Sequence, residues 1–358
     1  MEAGVEVTVN QLGKAKELQN RTGRILLGIA VLVFLVGLGF WIKQFTTGFG
    51  GYSAQYAWGL FIAAFFTAAA GGAGVLILGS IIHFFSKPGG NYLKLYYMGA
   101  FALFVTAGFF IMADLGAPLN VFKLVFTSNF AAPMIADFWL MVACALVSLF
   151  MVFLKGEKRI LSLVGLICAL ALIIVQSWLI SSTNIQQLWG ITMGAGSAFL
   201  QVAILAFALL LLIGQETKNG KLALAAVLLF FLAVSLTDLV TGLSVSGRLG
   251  LQWLAVSKSI VFWLGIILGV VAPLLLLLAN LAANYKSSSV VVSILSILGV
   301  FLTKLSYVWC SQAVPAIDAG PLTSPSFHLE EIIIVLGFTA VGVIIYQCLK
   351  LYKGGTQL

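Results

Sequence analysis

Four residues in this sequence have the types and positions to line a polar pocket at a membrane surface, two of them able to exchange protons: Trp58, Asp114, Asp137 and Gln176. Each falls at or near the end of an apolar segment, and the segments alternate in direction so that all four ends lie on the same side. An ionisable side chain inside hydrocarbon costs roughly 2.5–3.5 kcal/mol on insertion scales, so each such group calls for a reason. Two carboxyls, an amide and an indole gathered at one depth would line a polar pocket. A carboxyl there can take or give a proton, as quinone chemistry requires, because two protons accompany two electrons at the ring. Residue type alone also allows simpler roles. Asp114 can close a turn before Leu115-Gly116-Ala117-Pro118, Asp137 can pair with Lys123, Gln176 can make an interhelical hydrogen bond, and Trp58 can anchor the interface.

A second set lies further along the chain. Asp238, Lys258 and Lys304 also fall on the outer half, with Tyr307 one turn from Lys304. The simplest expectation is a buried Asp–Lys pair that neutralises itself. The alternative is a proton route through Asp238, Lys258 and Lys304, with Gln201 and Asn280 as deeper steps. Cys144, Cys168, Cys310 and Cys348 all fall within apolar segments without a C-x-x-C spacing, and are expected to pack. His83 and His328 lie at opposite faces, which excludes a bis-histidine haem. No intrinsic haem, iron–sulfur cluster or metal site is expected.

These residues must be held by helices. Of 358 residues 61% are apolar and only 8% charged, and the mean hydropathy is +1.13, so a water-soluble domain is excluded. Stretches of about 20 apolar residues, each long enough to cross roughly 30 Å of hydrocarbon, account for nearly the whole chain. Ten spans are expected, at 25–47, 56–85, 95–115, 134–154, 159–181, 187–213, 221–241, 257–283, 290–311 and 331–351. Segments of alternating polarity are absent, so the fold class is all-α and polytopic, not a barrel.

Charge sets the orientation. Fourteen Lys and Arg residues lie on the side of the termini, against Lys43, Lys123, Arg248 and Lys258 on the other, with Lys304 inside a span. By the positive-inside rule both termini are cytoplasmic. The net charge of +8 is spread over short connections, so nucleic-acid binding is not indicated. The first apolar run is too long for a signal peptide and reads as a retained anchor.

An internal repeat organises the spans. Ala57-Trp58-Gly59 opens span two and Leu188-Trp189-Gly190 opens span six; Asp114 and Asp238 close spans three and seven. Phe138-Trp139-Leu140 follows Asp114 by 24 residues, and Phe262-Trp263-Leu264 follows Asp238 by the same 24. Matching helices lie four spans apart, so the copies point the same way across the bilayer. The expected architecture is two parallel-related four-helix bundles plus two flanking helices. Its parts are an N-terminal segment 1–24, flanking helix and outer loop 25–55, first bundle 56–186, second bundle 187–311, and outer loop, last helix and tail 312–358.

The stretch Trp58-Gly59-Leu60-Phe61-Ile62-Ala63-Ala64-Phe65-Phe66, the Gly/Ala-rich run after it, and Ala113-Asp114-Leu115-Gly116-Ala117-Pro118 resemble the NrfD/PsrC-like polysulfide reductase membrane-subunit family. Ser324-Pro325-Ser326-Phe327-His328-Leu329-Glu330 resembles that family's approach to its last helix, and Lys304 stands where many members carry a basic residue. Ala117 departs from the family's usual Arg, and Leu60, Ile62 and Ala63 stand where the best-known members carry polar ring ligands.

The resemblance implies a quinone site, for menaquinone or another quinone, at the outer side of the first bundle. It also implies an extracytoplasmic iron–sulfur subunit and a catalytic, often molybdopterin, partner. On this reading the chain is the membrane anchor of a respiratory oxidoreductase complex in a prokaryotic cytoplasmic membrane. Trp58, Asp114, Asp137 and Gln176 would serve the ring, and Asp114, Asp137, Asp238, Lys258 and Lys304 the protons. The outer loops 116–133, 242–257 and 312–330 would dock the partner. A secondary transporter and a purely structural anchor are the competing expectations.

Overall fold

The computed structural model describes residues 2–48, 56–85, 92–116, 118–127, 129, 131–154, 158–182, 187–213, 217–283, 289–314 and 328–354. Lys87, Lys155 and Lys286 of the charge count, Ala117, and Ser324 to Phe327 lie outside them. Among the described residues the structure is helical, and ten helices are long and apolar enough to cross a membrane. Their limits follow the ten expected spans, and the protein is an integral membrane protein.

The spans are α1 (Glu2–Thr47), α2 (Leu60–Phe85), α3 (Tyr92–Asp114), α5 (Pro133–Phe153), α6 (Arg159–Ser181), α8 (Ala195–Leu212), α9 (Lys218–Leu243), α11 with α12 (Ile260–Ile266, Ala272–Ala283), α13 (Ser289–Gln312) and α14 (Leu329–Gly354). Shorter helices α4 (Val121–Phe126), α7 (Gln187–Thr192) and α10 (Gly247–Lys258) lie between them. Helix α2 packs on α3 and α6, and α5 on α3 and α6, which closes a ring of four. Helix α8 packs on α9 and α13, α12 on α9, and α11 on α13, which closes a second ring in the same order. The rings meet where α2 and α6 contact α8 and α2 contacts α13. Helix α2 is therefore central, with 94% of its most apolar window buried, against 11% for α1 at the periphery.

Small residues set these close approaches, because helix association in lipid depends on packing and not on a hydrophobic drive. A Cβ on Gly74 of α2 would lie 2.7 Å from the carbonyl oxygen of Val202 and 2.9 Å from Ala206 in α8, so the two rings touch backbone to backbone there. Helices α1 and α14 pair the same way: a Cβ on Gly37 would stand 2.6 Å from Cα of Gly337. The Lys43–Glu330 ion pair, 2.7 Å, closes the end of that pair. Replacing Gly337 by Leu is expected to push α1 from α14 and cost about 1–3 kcal/mol or more. A lowered thermal midpoint in detergent checks it, and an unchanged midpoint would show that the contact is dispensable.

Two starts of spans are irregular. Residues 56–59 precede the first turn of α2, and the span expected at 187–213 is broken into α7 and α8 at Met193–Gly194. Gly194 is extended (φ −64°, ψ 176°), and the hydroxyl of Ser197 donates to the Thr192 carbonyl freed by the break. The break is tolerable at membrane depth because polar groups inside the protein satisfy the freed backbone. The eighth span contains a π-helical turn, Ile267–Val271, just before Pro273. The turn places Gly269 so close to Gly299 of α13 that a Cβ would fall 2.0 Å from its Cα.

Candidate functional site

The irregular starts bring the two repeat-related tryptophans together. Trp58 and Trp189 stack face to face, ring centroids 4.5 Å apart and planes parallel. Trp58 lies outside α2, and its backbone is satisfied by one side chain of α13: the Trp58 N–H donates to Gln312 Oε1 (3.1 Å) and Gln312 Nε2 donates to the Trp58 carbonyl (2.8 Å). The Trp189 indole N–H donates to the Tyr307 carbonyl, also on α13 (3.2 Å). The stack is thus fixed to the second ring from both sides. The Phe138–Trp139 and Phe262–Trp263 pairs repeat each other too, at 5.4 and 5.2 Å with interplanar angles of 78° and 73°.

Next to the stack lies a cleft between the rings. Phe66 and Ala70 of α2, Ile173, Gln176, Ser177 and Ile180 of α6, Met193, Ala198 and Val202 before and within α8, and Lys304 of α13 line it. Phe66 is 6.5 Å from Trp58 between ring centroids, so the stack and the cleft share a wall. Asp137, on the second turn of α5, adjoins Gln176 from the first ring. Asp137, Gln176 and Lys304 are all less than a tenth exposed. The Asp137 carboxyl and the Gln176 side chain lie within hydrogen-bonding reach of each other, though Asp137 Oδ1 and Gln176 Nε2 make no close, well-aligned hydrogen bond, and no ion pair or hydrogen bond reaches Lys304 among the described residues.

A buried ammonium and amide facing one cleft, with a buried carboxyl behind the amide, are costly unless something else meets them. Together they offer N–H donors from Lys304 and Gln176 and a proton-exchanging carboxyl at Asp137, between flat apolar walls. That donor set suits a planar ring carrying two carbonyl oxygens. The space between these walls has room for about one water molecule.

The structure divides the residues selected by sequence. Asp137 and Gln176 come together and Trp58 adjoins them through Phe66. Asp114, half-buried at the end of α3, instead lies within charge–charge range of Glu331 in the first turn of α14. Lys304, assigned by sequence to the second bundle, lines the same cleft as Gln176. The expected Asp–Lys pair does not form: among the described residues no ion pair joins Asp238 to Lys258 or Lys304. Helices α9 and α13 sit diagonally across their ring, so Asp238 faces Tyr307 while Lys304 faces the first ring. Lys258 is exposed at the last turn of α10, and the expected Asp137–Lys123 pair is absent because Lys123 is exposed on α4 while Asp137 is buried. Gln201 is fully buried with neither amide atom partnered, and Asn280 is half-buried towards the other face.

Two residues escaped the sequence reading. Gln312 looked like an ordinary polar helix end, and nothing local marks it as the brace of Trp58. Glu331 was legible: it shares the helical row of Ile334, Phe338 and Val341, all buried, whereas Glu330 lies off that row and reaches Lys43.

Comparison with known proteins adds a family. Over 119 residues the chain is 33% identical to a putative dimethyl sulfoxide reductase membrane subunit of Halobacterium salinarum, a match covering 32% of this chain and 27% of that protein. The chain thus spans about a quarter of the length of this curated relative. A family model described as "Polysulphide reductase, NrfD" matches residues 49–316, which include both rings, the tryptophan stack and the cleft. The chain belongs to the NrfD polysulphide reductase family.

Proposed function

We propose that this chain is the membrane subunit of an oxidoreductase complex and that the cleft between its two helix rings receives the ring of a membrane quinone, with menaquinone the first to test. The observation that carries the reading is that Gln176 of the first ring and Lys304 of the second line one cleft, with the buried Asp137 carboxyl beside Gln176. Family membership and the named membrane-subunit relative support it. When bound, a quinone exchanges two electrons and two protons with its surroundings. Lys304 Nζ and Gln176 Nε2 would hydrogen-bond its carbonyl oxygens, and the Asp137 carboxyl would hold or take a proton beside Gln176. The Trp58–Trp189 stack would stand beside the bound ring, next to Phe66 of the cleft wall.

The positive-inside count puts this end outside the cytoplasm. An iron–sulfur partner and a catalytic, often molybdopterin, subunit would dock there. The 116–133 connection offers Leu119, Phe122 and Phe126 of α4 and its preceding turn, all strongly exposed, as an apolar patch for that contact. The 242–257 connection is mostly α10, pinned to the second ring by Gln252 Nε2 on the Ser311 carbonyl (2.9 Å) and Arg248 on the Val314 carbonyl (3.1 Å). Mild-detergent purification of the tagged protein tests the reading. Iron–sulfur and catalytic polypeptides with extractable quinone are expected. A solitary chain without quinone, able to move solutes in liposomes, would replace it with the transporter reading.

A further inference from the structure

Backbone outside a helix, at the edge of hydrocarbon, must have its N–H and C=O met by side chains or by water. Residues 56–59, ahead of α2, are such a stretch. At Trp58 one primary amide meets both groups: Gln312 Oε1 accepts from the N–H and Gln312 Nε2 donates to the carbonyl. The same Nε2 also donates to the Val308 carbonyl of its own helix (2.9 Å), so the amide plane is fixed from behind. The primary amides of Asn and Gln reproduce the donor and acceptor of a peptide group, and this one, only 3% exposed, takes the place that a neighbouring strand would take in a ladder.

The helix that carries this clamp also carries the anchor of the second indole and the cation of the cleft. Tyr307, whose carbonyl accepts from Trp189, stands five residues before Gln312 on α13. Lys304, Val308 and Gln312 form one i, i+4, i+8 row of that helix. Lys304 and Gln312 therefore lie on one side of α13, about 12 Å apart along its axis. Trp58 carries the constraint towards the cleft. It lies against Trp189 at 4.5 Å and against Phe66 at 6.5 Å, and Phe66 lines the cleft together with Lys304. One helix thus fixes both the cation and the aromatic wall that stands near it.

We propose that Gln312 is a positioning residue for quinone binding: by clamping the Trp58 backbone it holds Trp58 and Phe66 at a fixed place relative to Lys304, and the affinity of the cleft for a quinone ring depends on that clamp. The inference rests on the quinone reading of the cleft, whereas the clamp itself does not. Without the Gln312 amide both backbone groups of Trp58 lose their partner, and leaving such groups unmet costs more than each bond contributes when made. Residues 56–59 then turn towards water, and Trp58 parts from Trp189. Gln312 acts through Trp58 and does not reach Asp137, so its loss weakens the binding of the ring and leaves the proton step in place. Binding lost equally from ground state and transition state appears in affinity and not in saturated turnover.

The test reads position and binding separately. In the complex labelled with fluorotryptophan, the Trp189 fluorine resonance, identified by its loss in Trp189→Phe, carries the ring-current shift of the stacked Trp58, identified by its loss in Trp58→Leu. Gln312→Met is expected to move that resonance towards its Trp58→Leu position. Gln312→Glu, which keeps an acceptor for the Trp58 N–H, is expected to move it less. In the same complex Gln312→Met should raise the dissociation constant of a short-chain menaquinone about tenfold, with turnover at saturating quinone within about twofold of the natural complex and Gln312→Glu in between. Gly337→Leu, destabilising at the α1–α14 edge, should change neither the resonance nor the affinity. An unmoved Trp189 resonance in Gln312→Met, or an unchanged dissociation constant where the resonance has moved, overturns the proposal. Equal loss of affinity in Gly337→Leu overturns it too, because destabilisation alone would then explain the effect. Absence of quinone binding in the natural complex would undo the quinone reading and this use of the clamp with it, while the fluorine result would still report the clamp.

Discussion

Asp137→Asn in the assembled complex is expected to lower quinone-coupled electron transfer by about 10²–10⁴-fold, the usual contribution of a positioned proton-transfer group. The amide keeps the shape of the carboxyl and its place beside Gln176, so folding and subunit assembly should be retained. It cannot exchange a proton, and that one property is what the prediction isolates. Turnover with an artificial electron donor that bypasses the membrane subunit should stay at the level of the unaltered complex. Equal quinone-coupled rates for both forms would remove Asp137 from the mechanism, and loss of assembly would show a structural role instead.

Lys304→Met should act in opposite directions on stability and on binding. A buried ammonium without an ion pair or hydrogen bond among the described residues is a net cost to the fold, and replacing it by an unbranched apolar side chain removes that cost. The variant is expected to unfold at higher temperature than the natural protein. Quinone affinity should fall about tenfold or more, since one charge-assisted hydrogen bond is worth about 1.5–3 kcal/mol. A natural protein that keeps a destabilising group in a cleft is expected to use it. A variant that loses stability and keeps affinity would show instead that Lys304 has a structural partner.

Much of this was readable from the chain. Span limits followed from apolar length because the bilayer thickness fixes it, and the Trp, Asp and Phe-Trp repeat placed matching residues at matching helix ends. The sequence reading also placed Asp137 and Gln176 at similar depth, since topology alone decides which ends share a face. It did not give rotation about a helix axis. Lys304 and Asp238 have the right depth to pair, but α9 and α13 are diagonal in their ring and the two side chains face different neighbours. Nor did depth show that α2, α6, α8 and α13 meet, which draws the cleft between the rings and away from Asp114. The break at Met193–Gly194 was hidden by continuous hydrophobicity, although Gly190, Gly194 and Gly196 in succession are the composition that permits one.

The most direct test of the central claim is photolabelling of the purified complex with an azido-quinone, followed by identification of the labelled peptides. The account predicts label on α6 near Gln176–Ile180, on Met193–Val202, and on α13 beside Lys304, all suppressed by excess menaquinone. Label confined to the His83 end, or label that menaquinone does not suppress, would contradict it.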